Sequence, residues 1–298
     1  MFQSLNTAQT TNFEAGKLNS GQTMSPKTFE MWRKYIYDNC GIYFQDNKKY
    51  LLESRLQKRI TYLGLTTFEE YFSFVSDSIK GNQEKKYLYE AITINETFFF
   101  RNQPQFDAII NNILPDLIQR KRILGQRKIK IWSAASSSGE EAYTIAIILK
   151  DIIKPKYPEF EFEIVGTDIN STVVETAKKG LYKEYSIRQT PPYYLKKYFT
   201  RIDNAFQLNP DIVNAVTFKN MNLYDEFAMR SMLGFDLIMC ANVLIYFDFE
   251  SKVKVVSKLY DAMNTGGYLF IGYSETLHGI SKAFKLISFP KTIGYKKE

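Results

Sequence analysis

The 298-residue sequence contains a single histidine, His278, and two cysteines, Cys40 and Cys240. Two separated cysteines cannot build a disulfide framework, which points to a reducing compartment. With only that histidine beside them, neither a zinc site nor a Ser-His-Asp catalytic set is expected, and no metal is assigned. No run approaches the ~18 consecutive apolar residues of a membrane-spanning helix. The first 25 residues are rich in Ser, Thr, Asn and Gln and lack the apolar segment of a signal peptide. Residues 1–25 are therefore expected to form a flexible polar tail. Internal repeats are missing, and so is a G-x-G-x-x-G phosphate loop.

What is present is ample material for a core. Hydrophobic residues make up 45% and charged residues 24%, with 23 Phe and 21 Tyr, which excludes disorder of the whole chain. The length suits one large domain or two modest ones. An excess of 39 basic over 32 acidic residues gives a net charge of +7, a mild bias toward an acidic partner.

Periodicity divides the chain. Ser25-Pro26 is an N-cap followed by Pro at the first helical position, and Phe29, Trp32, Tyr35 and Ile36 then recur at a helical period until Gly41. A second helix is expected over 47–62, a third after Thr66-Thr67 and a fourth over 85–94, so 26–94 reads as a small all-helical domain. Beyond Ile123 the pattern changes. Strands are expected at 128–132, 160–165, 235–240 and 268–271, alternating with helices at 140–153, 171–179 and 249–263. That alternation predicts a mostly parallel α/β sheet with helices on both faces. Residues 183–215, with Pro191-Pro192 and many tyrosines, break the rhythm and read as an inserted antiparallel element.

In an open α/β sheet, ligands sit at the carboxyl ends of the strands. There the small-residue loop Ser136-Ser137-Ser138-Gly139 opens a helix whose first turn carries Glu140 and Glu141. Two acidic residues repel a phosphate, although they also complement the helix dipole. Asp168, at the end of the next strand, can accept hydrogen bonds from ribose hydroxyls. Together these features suit a nucleoside ligand that carries positive charge and no phosphate, as S-adenosylmethionine does. On the second helix, Lys48, Arg55 and Arg59 fall within roughly 40° of one another, forming a basic stripe beside the apolar face.

Four ordered motifs carry a family resemblance. Asn95-Glu96-Thr97-Phe98-Phe99-Phe100-Arg101 resembles the N-E-T-x-F-F-R signature of the CheR family, the chemotaxis receptor glutamate methyltransferases. The stretch from Trp132 to Tyr143, WSAASSSGEEAY, is similar to that family's cofactor loop. Asn242-Val243-Leu244-Ile245-Tyr246-Phe247 resembles its N-V-L-I-Y-F segment, and Gly272-Tyr273-Ser274-Glu275 its closing G-x-S-E. Two positions depart from the pattern: Ala241 stands where the family usually has Arg, and Asn102 where an acidic residue is common.

The resemblance implies an N-terminal helical domain followed, over 95–298, by a Rossmann-like class I methyltransferase domain, with the antiparallel β-subdomain at about 183–215 inserted in it. It implies that Asn95, Thr97 and Arg101 approach the cofactor and reaction centre, and that one or both of Glu140 and Glu141 face the cofactor's amino-acid part. By the same resemblance Asp168 holds the ribose, Asn222 and Leu223 flank the adenine, Asn242 meets the methionine part, and Ala241 is a further cofactor-binding position. Arg101 and Tyr246 stand at the point of transfer, and Lys48, Arg55 and Arg59 dock the acidic methylation helices of a chemoreceptor. The expected protein is a cytoplasmic monomer recruited to membrane receptor arrays, binding S-adenosylmethionine and no nucleic acid.

Overall fold

The computed structural model describes residues 23–298. The tail expected at 1–25 lies outside the described residues except at its inner end. There Met24 is already buried among the helices, and its N–H donates to Glu53 Oε1 (2.6 Å).

Four helices form the N-terminal unit: α1 (Pro26–Cys40), α2 (Lys49–Tyr62), α3 (Phe68–Ser76) and α4 (Lys80–Ile92). Their ends follow from local chemistry. The Ser25 side chain accepts from the Thr28 N–H, and Gly41, at φ 73°, closes α1 in a left-handed conformation. Thr67 and Glu70 make a reciprocal capping box at α3. Helix α4 starts at Lys80, ahead of the expected position 85, because Asp77 Oδ1 accepts from the Ile79 and Lys80 N–H groups (2.9 and 2.7 Å) and seeds the turn. Phe29, Trp32, Ile36, Leu52, Leu56, Phe68, Tyr71 and Leu88 fill this unit's core.

The second unit opens with α5 (Gln103–Ala108) and α6 (Leu114–Ile123), joined by a π-helical turn. An alternating series follows: β1 (Lys128–Ala134), α7 (Glu140–Ile148), β2 (Glu161–Asp168) and α8 (Ser171–Lys179). The inserted segment holds β3 (Leu181–Tyr182), α9 (Glu184–Ile187), α10 (Pro192–Tyr198), β4 (Phe199–Ile202), β5 (Ala205–Leu208) and α11 (Pro210–Val213). The chain then completes β6 (Val216–Asn220), α12 (Glu226–Arg230), β7 (Phe235–Cys240), α13 (Phe249–Ala262) and β8 (Met263–Ile271). It ends in the hairpin β9 (Phe284–Phe289) and β10 (Thr292–Lys297).

Seven strands make one sheet in the order β6-β2-β1-β7-β8-β10-β9. Pairing is parallel from β6 to β8, whereas β10 runs antiparallel to both β8 and β9. This is the mostly parallel sheet that the alternation predicts, in the class I methyltransferase arrangement that the resemblance implies. The insert forms a separate antiparallel sheet, β3-β5-β4. It is more helical than its tyrosine-rich sequence suggests, because Pro192 and Pro210 each begin a short helix.

The units are joined at the carboxyl edge of the sheet. The Tyr43 N–H donates to the Tyr246 carbonyl (3.0 Å), and Ile42 bridges to Phe247. Gly41 lies against the Tyr224 ring, where a Cβ would stand 2.5 Å from the nearest ring carbon.

Candidate active site

Crossovers run one way from β1 to β2 and β6, and the other way from β7 to β8. The sheet therefore switches direction between β1 and β7, where such sheets open a crevice. The loops leaving those strands, 135–139 and 241–246, meet there, and the segment 95–101 closes a third side. Thr97, Arg101, Ser136, Glu141, Ala241 and Asn242 line the resulting cleft.

Backbone strain marks the same place. Among the described residues, six non-glycine positions have positive φ, and four of them (Phe100, Ala135, Ser137 and Asn242) belong to these three segments. Such conformations cost ~1–3 kcal/mol each and persist only when their surroundings hold them. Here the Ser137 N–H donates to Asp168 Oδ2 (2.8 Å), the Phe100 N–H to Thr144 Oγ1 (3.1 Å) and the Asn242 N–H to Glu275 Oε2 (3.0 Å). Gly139 ends the first loop at φ 93°, and a Cβ there would come within 2.8 Å of the Phe218 ring. Only glycine suits both its angle and its surroundings.

The 95–101 segment is anchored through its aromatic residues. Phe99 is buried edge-on to Tyr182 and Phe199, and its N–H donates to the Ser186 carbonyl (2.9 Å). The Asn95 carbonyl accepts from Ser137 Oγ (3.1 Å). Arg101 is exposed at the cleft mouth, with Nη1 donating to the Glu96 carbonyl of its own segment (2.6 Å). The insert supplies the adjoining wall. Tyr185 Oη donates to Glu96 Oε1 (2.5 Å), and the Arg188 guanidinium lies over both the Phe98 and Tyr185 rings (3.6 and 3.5 Å).

The two glutamates of α7 separate. Glu141 lines the cleft and accepts from Ser133 Oγ (2.7 Å). Burial pushes its pKa up to about 7, against the Ser133 hydrogen bond and nearby Arg101, which pull it down. Glu140 is buried, takes a hydrogen bond from Ser138 Oγ (2.7 Å) and is not part of the lining. Asp168 sits beneath the small-residue loop, accepting from the Ser137 and Asn170 N–H groups (2.8 and 2.9 Å). Burial raises its pKa, and those backbone hydrogen bonds oppose the rise.

Two expectations change. The Asn222 side chain spans the two units: Nδ2 donates to the Asn39 carbonyl (2.7 Å) and Oδ1 accepts from the Tyr224 N–H (2.9 Å). With Leu223 buried in the core, the Asn222 backbone is the part left for a ligand. The basic stripe does not survive as a stripe. Lys48 is exposed, but Arg55 turns inward and donates to the Ile92 carbonyl at the end of α4. Arg59 makes a bidentate pair with Glu84 (2.8 Å for both hydrogen bonds), a partner that a helical wheel of α2 alone cannot show. Tyr246 is half-buried; burial raises its pKa, and the charges of Arg55 and Arg101 oppose the rise.

The description "CheR methyltransferase, SAM binding domain" matches residues 95–293, and "CheR methyltransferase, all-alpha domain" matches residues 27–93. The chain belongs to the CheR methyltransferase family. Chemotaxis protein methyltransferase 2 of Vibrio cholerae is 34% identical to it, over 90% of this chain and 92% of that protein. The chemotaxis protein methyltransferase of Borreliella burgdorferi is 37% identical, over 90% and 94%. Chemotaxis protein methyltransferase 1 of Pseudomonas aeruginosa is 32% identical, over 90% and 97%.

The CheR cofactor is S-adenosylmethionine, and the cleft residues fit it. Ser136 Oγ, on the lining, is buried with no hydrogen-bond partner. Glu141 offers a carboxylate to a cationic group, and the small residues of the 135–139 loop admit close approach. Among the described residues no cluster of metal-ligating side chains occurs. Sequence reasoning assigned no individual role to Ser133, Ser136 or Glu275: Ser133 meets Glu141 of α7, Ser136 Oγ lies in the fold without a protein partner, and Glu275 reaches the loop after β7. Only the spacing of Gly272 and Glu275 hinted at the last of them.

Proposed function

We propose that this CheR protein transfers a methyl group from S-adenosylmethionine to side-chain carboxylates of glutamates in methyl-accepting chemotaxis receptors, giving glutamate methyl esters. The observation that supports the reading is the cleft itself, lined by Arg101 and Glu141 together with Ala241 and Asn242 of the loop that leads to Tyr246. Asn95, Thr97, Glu141, Asp168, Ala241, Asn242 and the backbone of Asn222 and Leu223 are the residues that would hold the cofactor. When bound, it supplies an electrophilic methyl group on a sulfonium.

The chain's own task is placement. A glutamate side chain is ionised near pH 7, so no general base is needed, and the scarcity of histidine has no cost. The Arg101 guanidinium can hold one carboxylate oxygen while leaving the other free to react. Its pull must stay modest, because the nucleophile loses its charge on becoming an ester. Exposure at the cleft mouth, with one N–H already given to the Glu96 carbonyl, suits a group that aims more than it binds. Tyr246 packs the opposite side and excludes water that would shield the carboxylate.

We assign docking of acidic receptor helices to the unit at 26–94, through Lys48 and Arg55, and transfer to the unit at 95–298 with its insert at about 183–215. On this reading the protein acts as a cytoplasmic monomer recruited to receptor arrays. The test is transfer of labelled methyl from S-adenosylmethionine to receptor-containing membranes. Base-labile label supports the ester, and base-stable label overturns it. Cofactor binding without any transfer would identify a non-catalytic descendant of the enzyme.

A further inference from the structure

Glu275, in the loop after β8, has a half-buried carboxylate that takes three backbone N–H groups from two loops. Oε2 accepts from Asn242 (3.0 Å) and Gly272 (2.6 Å), and Oε1 accepts from Ile245 (3.0 Å). The Glu275 N–H returns to the Gly272 carbonyl (2.9 Å), closing the turn. A Cβ at Gly272 would stand 2.7 Å from Glu275 Oε2 and 2.8 Å from both Asn242 N and Asn242 Oδ1, so the loops meet this closely only over a glycine. Asn242, at φ 61°, would otherwise favour a different backbone. Ile245 lies in the 3-10 turn Leu244–Tyr246 that carries the Tyr246 ring.

We propose that Glu275 is a positioning residue for methyl transfer: one carboxylate fixes Asn242 on the cofactor side and the Tyr246 turn on the substrate side. The proposal rests on the transfer reading above. The charge matters because three donors converge on two oxygens. A carboxamide has a single acceptor oxygen, which in Glu275→Gln goes where two N–H groups already point. Its NH2 then faces the Ile245 N–H, donor against donor. Glu275→Gln therefore releases the Tyr246 turn and keeps Asn242, whereas Glu275→Ala releases both.

The experiment uses the full chain. Single-turnover methylation of receptor membranes is measured beside calorimetric affinity for S-adenosylhomocysteine and amide hydrogen exchange at Asn242 and Ile245. For Glu275→Gln we expect turnover to fall at least ~10-fold, toward the ~10²-fold that a fully misplaced group costs, with affinity within about twofold of wild type and protection lost at Ile245 alone. For Glu275→Ala, affinity and both amides' protection fall as well. Parallel losses of turnover and affinity in Glu275→Gln, or unchanged protection at Ile245, overturn the proposal. If Glu275→Ala does not fold, Glu275→Gln decides alone. Wild-type protein that methylates nothing sinks the transfer reading only. In that case, the ordered loss of amide protection and affinity across the two variants still supports or overturns the clamp.

Discussion

Replacing Arg59 with Ala should destabilise the protein and leave docking chemistry untouched. Arg59 holds Glu84 by two hydrogen bonds of 2.8 Å, and the two side chains are 15% and 5% exposed. Its guanidinium also lies 4.6 Å from the Tyr62 ring centroid and 4.3 Å from that of Tyr87. Without Arg59, the Glu84 carboxylate keeps one side-chain donor, Tyr71 Oη at 3.0 Å. Stranding one partner of a buried pair costs about 3–5 kcal/mol. Arg59 is slightly exposed and water can enter the vacated space, so the lower end, about 3 kcal/mol, is expected. Arg59→Glu should be worse, since it sets two carboxylates against each other.

The assay is urea unfolding followed by tryptophan fluorescence, to which Trp32, fully buried in the same unit, and Trp132 of the sheet both contribute. A double-mutant cycle with Glu84→Leu separates the pair from its parts. Removing both charges should cost far less than removing Arg59 alone, giving a coupling of about 2 kcal/mol or more. A loss below about 0.5 kcal/mol for Arg59→Ala, as for a surface pair, would refute this reasoning. It would return Arg59 to the docking face.

Three further outcomes are expected. Arg101→Ala should cut single-turnover methylation ~10²-fold or more while cofactor affinity falls far less, and Lys should rescue poorly because it lacks the planar fork; wild-type turnover in both variants would make Arg101 structural. Affinity for S-adenosylhomocysteine should decline as pH falls below about 7, by up to ~10-fold per unit, because the Glu141 pKa is raised and only its charged form attracts the ligand's ammonium group. Calorimetry from pH 5.5 to 8 on wild type and Glu141→Gln checks this, and a flat wild-type profile counts against a ligand-facing Glu141. Gly41→Ala, at φ 73° and against Tyr224, should destabilise by ~2 kcal/mol and weaken cofactor binding at a distance, which denaturation and titration together reveal.

What could be read from sequence was local or already assembled into motifs. Ser25-Pro26, Thr67 and Gly41 marked helix ends because a cap involves only neighbouring residues. The strand FDLIMC was legible because both faces are buried, leaving no polar alternation. The hairpin β9–β10 was not, since it packs at the sheet edge and its lysines interrupt the apolar pattern. The Arg59–Glu84 pair and the Asn222–Asn39 strut were invisible for another reason. Each joins residues on elements whose relative placement no one-dimensional period encodes. The stripe on α2 followed from the helical period, but that period could not show that α4 supplies an acid opposite Arg59.

The same contacts bear on why the helical unit and the transferase unit are built as they are. The surroundings of Tyr246 are not made by the sheet alone. Tyr246 is held from one side by the Glu275 carboxylate acting on its turn, and from the other by the Tyr43 N–H on its carbonyl. Asn222, beside the expected adenine position, is held by the Asn39 carbonyl at the end of α1. Arg55 reaches the neighbourhood of the Tyr246 phenol from α2. A partner that displaced the helical unit by an ångström would therefore move Tyr246 and Asn222 together, and placement errors of that size cost catalysis ~10²-fold. The junction and the cleft thus share one set of hydrogen bonds, so a substitution at the junction should change turnover even where it touches neither ligand.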